Sequence, residues 1–265
     1  MRNIKENLNI SRINYKSNNL LLEGLIFKPQ GQGKFPGVIF LHGHGSSAWD
    51  ASLIGYFLTR AGTAVFIPSM IGYGLSEGES DFNGPETVEG VINGMKIFLK
   101  EKFVDKNRVG IWGISRGATV AALIVTKEPS LFKAAIFQSG AYEMKSSYET
   151  TKIPGIKRVM LEEMGGKNKD QFFVRSPIYQ IEKVLCPILI LHGAQDERIL
   201  VQQAKLLNTK LKELKKEHKT IILPKAGHFL TRLTRKKYVF PFLKKYLSKR
   251  LPHHFRNGAT EHYSL

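Results

Sequence analysis

Three side chains in this sequence could act together on an acyl group: Ser115, Asp196 and His228. A serine hydroxyl is neutral near pH 7 and becomes a useful nucleophile only when a base takes its proton. A histidine can be that base, provided an acid fixes its tautomer and stabilises the imidazolium that forms. Ser115 lies in Gly113-Ile114-Ser115-Arg116-Gly117, a G-x-S-x-G turn. Glycines two residues before and two after a serine let a strand reverse sharply into a helix without a Cβ clash. The hydroxyl then stands clear of the sheet at the positive end of a helix, where a developing oxyanion is stabilised.

The flanks supply what that turn needs. Val109, Ile111 and Trp112 read as the end of a buried strand, and Ala118 onward (ATVAALIV) reads as a helix. Asp196 follows the apolar run Pro187 to Leu191, and His228 follows Thr220 to Leu223. Glu197, beside Asp196, is the other candidate acid.

Earlier in the chain, residues 8–15 and 20–27 read as two strands of a hairpin. Gly37 to Leu41 is a continuous apolar run, as in a strand covered on both faces, and it leads into His42-Gly43-His44-Gly45. Residues 49–61, 86–102, 200–217 and 235–248 carry apolar residues at helical spacing. Ala64 to Pro68 and Ala134 to Gln138 read as further strands. Residues 141–185 break the alternation, with aromatics and methionines scattered among charges, and are expected to form a small helical cap or lid. Strands alternating with helices imply a mostly parallel central sheet flanked by helices, with right-handed crossovers. Sites in such sheets collect at the carboxyl ends of the strands, where His42, Ser115, Asp196 and His228 all fall. One α/β domain over residues 1–265, with the cap inserted, is the expected organisation.

Composition sets limits on the remainder. The 265 residues are 42% hydrophobic, enough for a large core, and no apolar run approaches the roughly 18 residues of a membrane span. MRNIKENLNI has charges but no apolar segment of the secretory kind, and the single Cys186 suits a reducing compartment, so a cytoplasmic location is expected. Cys186, before an apolar strand, reads as a small buried residue. The net charge is +18, and residues 201–265 hold 16 Lys/Arg against 3 Asp/Glu. A basic face raises nucleic acid or an anionic membrane as partners. The charges are spread through helical patterns without finger spacing, an aromatic RNA-binding signature or an Arg-rich arm, which favours a solvated surface. No H-E-x-x-H or similar spacing occurs, so neither metal nor cofactor is expected.

Taken together, LHGHG (41–45), GYGLSEG (72–78), GISRG (113–117), SPI (176–178), LHGAQD (191–196) and AGH (226–228) resemble the α/β-hydrolase superfamily, in particular its dienelactone hydrolase and prolyl oligopeptidase-like branch. The resemblance covers about residues 20–250. It implies Ser115 as nucleophile, Asp196 as acid and His228 as general base. It further implies an oxyanion hole from the N–H of Arg116 and that of His44, with Gly43 as the neighbouring alternative. His42 and His192 fall at positions that are structural in the family, His42 holding the oxyanion loop. The Arg116 side chain could form a structural salt bridge or touch substrate. Substrate-pocket candidates are His42, Tyr73, Tyr142, Phe172 and Phe173. The expected activity is hydrolysis of a small carboxylic ester or short acyl substrate through an acyl-enzyme. A single-domain peptidase of the aminopeptidase kind, a thioesterase or an acyltransferase would use the same triad, and a non-catalytic binder would use the same fold.

Overall fold

The computed structural model describes residues 9–248. The expectations placed on residues 1–8, and the part of the basic stretch beyond residue 248, lie outside the described residues. An eight-stranded sheet runs through the described residues in the order β1-β2-β4-β3-β5-β6-β7-β8. β1 (Asn9–Ser17) and β2 (Leu20–Lys28) form the N-terminal antiparallel hairpin, and β2 pairs antiparallel with β4 (Ala64–Pro68). β3 (Phe35–Leu41), β4, β5 (Val104–Ile114), β6 (Phe132–Gln138), β7 (Ile188–Gly193) and β8 (His218–Leu223) are parallel. This is the α/β-hydrolase architecture.

The two faces of the sheet explain the apolar runs. Successive strand side chains point to opposite faces. Ile39 and Leu41 of β3 join one core with Val109 and Ile111, while Val38 and Phe40 join a second with Trp112. The first core is closed by α2 (Pro85–Phe98), α3 (Arg116–Lys127) and α7 (Gln202–Glu213). The second is closed by α1 (Ser52–Arg60) and a C-terminal helical run. That run comprises a short α8 (Arg232–Thr234), a π-helical turn (Arg235–Val239) and α9 (Phe240–Leu247). The helix expected over 86–102 stops at Phe98, where tight turns through Lys100 and Glu101 lead into β5.

Between β6 and β7 lie α4 (Met144–Thr150), α5 (Pro154–Met164) and α6 (Lys169–Val174), followed by two 3₁₀ turns, Pro177–Tyr179 and Ile181–Lys183. Met144, Met160, Met164 and Phe172 pack with Ala141 into a third, separate apolar cluster. The scattered methionines and aromatics of this segment are thus its own small core.

Candidate active site

Ser115 sits between β5 and α3 with φ 55° and ψ −121°, a conformation that costs a non-glycine residue of order 1–3 kcal/mol. The flanking glycines make room for it. A Cβ on Gly113 would lie 2.0 Å from the Gly117 carbonyl oxygen, and one on Gly117 would lie 2.3 Å from the Leu41 carbonyl oxygen. Strand, helix and the end of β3 therefore touch backbone to backbone at the serine.

His228 Nε2 is 2.9 Å from Ser115 Oγ, and His228 Nδ1 donates to Asp196 Oδ2 at 2.8 Å. In the neutral ring that tautomer presents an unprotonated Nε2 to the serine hydroxyl, as proton abstraction requires. Asp196 is 3% exposed. Burial works to raise its carboxyl. Hydrogen bonds from His192 and His228, the His228 charge and the Ile199 N–H outweigh burial and hold the carboxyl well below the usual carboxylate range. The Arg198 and Ile199 N–H groups both donate to Oδ1 at 3.0 Å, and His192 Nε2 stands 3.2 Å from Oδ2. Glu197 is exposed and takes no part in this set. Ser139, with φ 53°, donates from Oγ to the His228 carbonyl at 3.0 Å and anchors the histidine backbone.

The loop after β3 passes close to Ser115, since a Cβ on Gly43 would lie 3.3 Å from the serine Cβ. Among the described residues, no acceptor takes the N–H of His44 or of Arg116. His42 fixes this loop. Its Nδ1 donates to the Gly43 carbonyl at 2.8 Å and its Nε2 accepts the Met70 N–H at 3.1 Å. Burial pushes its pKa down to about 4, so the ring is neutral at pH 7 and has a lone pair for Met70.

The Arg116 side chain turns away from the serine. Its Nη1 donates to Tyr73 Oη at 2.7 Å, Ser80 Oγ at 2.6 Å and Glu163 Oε2 at 2.7 Å, and its guanidinium lies 4.4 Å from the Phe82 ring centroid. Tyr73 Oη donates in turn to His44 Nδ1 at 2.8 Å. Glu163, on α5, was not singled out from sequence. Its partner is 47 residues distant, and no local spacing marks such a pair.

A cavity of about 740 Å³ opens over these groups, walled in part by His42, His44, Ser115, Met160, Ile199 and His228. Of the aromatic pocket candidates none lies in its wall, which corrects the sequence expectation. Tyr73 stands behind Arg116 and His44. Tyr142 is fully buried in the core beside Phe137, its backbone N–H held by Gln203. Phe172 packs into the small core of the segment between β6 and β7, against Tyr148, and Phe173, one residue on, faces out and stacks on Tyr179. Neighbouring residues of a helix point about 100° apart, and here the rotation of α6 sends Phe172 inward and Phe173 outward. Cys186 is buried, and burial pushes its thiol up to about 12. Among the described residues no three His, Cys, Asp or Glu converge on a metal position, and no helix is long and apolar enough to cross a membrane.

Comparisons with known proteins agree with this geometry. The model of the prolyl oligopeptidase family, a peptidase family, matches residues 49–253. The uncharacterized peptidase YtmA of Bacillus subtilis is 28% identical over 229 residues, covering 84% of this chain and 88% of that protein. Acylamino-acid-releasing enzyme 1 of Oryza sativa is 30% identical over 157 residues, 56% of this chain and 20% of that protein. Among solved structures, the acylaminoacyl peptidase of Pyrococcus horikoshii superposes with a TM-score of 0.79 at 24% identity, over 92% of this chain and 43% of that one. The chain thus spans most of YtmA and less than half of the acylaminoacyl enzymes.

Proposed function

Because this chain belongs to the prolyl oligopeptidase family of serine hydrolases, we propose that it is a serine peptidase cleaving an amide bond in small peptide or acyl-peptide substrates. The observation that carries the serine-hydrolase part of the reading is the 2.9 Å and 2.8 Å relay from Ser115 through His228 to Asp196, with Ser115 and His228 in the cavity wall. An ester was the expectation from sequence. The family and the peptidase names among the relatives favour the amide reading over it.

In the proposed reaction Ser115 Oγ attacks the carbonyl carbon while His228 Nε2 takes its proton. The tetrahedral oxyanion accepts the N–H groups of Arg116 and His44, each worth about 3 kcal/mol in such a position. His228 then gives its proton to the leaving nitrogen, the C–N bond breaks, and the acyl group remains on Ser115. Water, deprotonated by His228, attacks this ester. The acid leaves and the proton returns to Ser115. We read the chain as one α/β-hydrolase domain whose 141–185 insertion caps the cavity, with Met160 supplying part of its roof.

The test sets aminoacyl, acyl-aminoacyl and dipeptidyl p-nitroanilides beside p-nitrophenyl esters from acetate to decanoate, for wild type and Ser115→Ala. Anilide turnover lost in the variant supports the proposal. Ester turnover alone, with Ser115 still labelled by a fluorophosphonate, would return the reading to an esterase. Absence of labelling would point to a binder.

A further inference from the structure

The charges lining the cavity are unequally satisfied. Arg116 is neutralised by Glu163, and Arg158 lies 3.7 Å from Glu162. Asp50, the carboxylate in the wall, already accepts Ser47 Oγ at 2.8 Å. Arg198 and Arg235 also line the cavity, and among the described residues neither forms an ion pair. Arg235 is half-buried. Its guanidinium donates to the Leu230 carbonyl at 3.3 Å, and its Nε is buried without a partner. Arg198 lies 5.0 Å from the centroid of Phe229, an aromatic that is 72% exposed at the cavity wall. A cation removed from water without a counter-charge is costly, and an incoming anion relieves that cost. A guanidinium held against an aromatic face keeps its donor fork free for a carboxylate.

Position then says which part of the substrate would bring the anion. Arg198 follows Asp196 by two residues and its N–H holds that carboxylate. Phe229 and Leu230, which carry the two guanidinium contacts, directly follow His228. His228 Nε2 must reach the departing nitrogen, so residues flanking this histidine face the leaving group. The proposed oxyanion donors, Arg116 and His44, belong to other segments.

We infer that Arg235 and Arg198 form a carboxylate-binding subsite on the leaving-group side, so that the preferred substrates are short peptides with a free C-terminal carboxylate one or two residues beyond the scissile bond. This rests on the peptidase reading and deepens it. The C–N bond breaks as described above, and the product released first is an amino acid or dipeptide whose carboxylate the two arginines have held.

The test compares acetyl-Phe-Ala and acetyl-Phe-Ala-Ala with their C-terminal amides, following release of the amine by mass spectrometry. Acetyl-Phe-Asp-amide is added as a source of a side-chain carboxylate. Charge-assisted hydrogen bonds predict a kcat/KM preference for the acid over its amide of about tenfold or more, shrinking as salt is added. In Arg235→Gln and in Arg198→Gln the ratio of acid to amide should fall, and in the double variant it should approach one. Arg235→Lys should retain part of it. Arg198 is exposed, so its variant reports even if a change at Arg235 disturbs folding. Acid and amide cleaved equally by the wild type would overturn the subsite and leave the peptidase reading standing. A preference for acetyl-Phe-Asp-amide over the free acids would also overturn it. No cleavage of any peptide, with Ser115 still labelled by a fluorophosphonate, would remove both.

Discussion

Acidification should unfold this protein through His42, a residue outside the catalytic relay. The ring is 2% exposed, and burial is the main force holding its pKa at about 4 rather than 6.5. The bond to the Gly43 carbonyl and the Asp50 charge push upward, and the Arg116 charge pushes downward with burial. Between these two values the ring is neutral in the folded chain and protonated in the unfolded one. The unfolded state then binds more protons, so stability rises with pH across the window and is lost as pH falls through it. With about 1.4 kcal/mol per pKa unit, the loss between pH 7 and pH 5 is about 2 kcal/mol, approaching about 3 kcal/mol below pH 4. Protonation at Nε2 would also remove the acceptor of the Met70 N–H and free the loop that carries His44. The assay is urea unfolding at pH 7, 6 and 5 for wild type and His42→Gln, which keeps a donor and an acceptor but does not titrate. The wild type should lose about 2 kcal/mol more than the variant over that range. Parallel curves would show that burial does not hold His42 neutral, and the account of the loop would fail with it.

Asp196→Asn should lower kcat by about a thousandfold or more by disturbing the His228 tautomer. It should also flatten the acid limb of stability, because a depressed carboxyl stabilises above its unfolded value near 4 and ceases to do so as pH falls below it. Gly117→Ala would place a Cβ 2.3 Å from the Leu41 carbonyl oxygen. Displacing the backbone there should cost about 2 kcal/mol or more and slow fluorophosphonate labelling of Ser115 at least about tenfold, with far-UV dichroism retained. Glu163→Gln leaves a nearly buried guanidinium with Tyr73, Ser80 and a neutral amide, for a loss of about 1–2 kcal/mol read from urea unfolding. In the Arg116→Gln background the same change should cost far less, since the charge it answers is gone.

The relay was legible in the sequence because each member follows an apolar strand, and strands of a parallel sheet deliver their next residues to one edge. Gly113 and Gly117 were legible for a related reason, since the turn geometry tolerates no Cβ on either side of Ser115. The aromatic pocket was not legible. Phe172 and Phe173 have the same chemistry and neighbouring positions, and only the rotation of α6 decides that one enters the cap core and the other faces solvent. Tyr142 was a pocket candidate as one of the aromatics of the 141–185 segment. Its ring instead continues the core beneath α3. The distinction between ester and amide also had no spacing to express it, because the acyl-enzyme chemistry is shared.

The pairing of Arg116 with Glu163 follows from the elbow itself. The residue after the serine must point its N–H at the cavity to serve an oxyanion. In the first turn of α3 its side chain is then carried to the side, toward the 73–82 loop and α5 of the cap. A small side chain would leave Glu163 and Ser80 to bond only each other. Arginine is long enough to reach Tyr73, Ser80 and Glu163 at once, and Tyr73 extends the chain to His44. The two residues proposed to bind the oxyanion are thereby joined through their side chains as well as by the loop backbone. A substrate that displaces α5 would pull on this network, so the position of α5 is coupled to the loop that carries His44. Loosening the link at Glu163 should consequently lower kcat more than it raises KM for anilide substrates. A change confined to KM would mean that the network serves only to hold the cap in place.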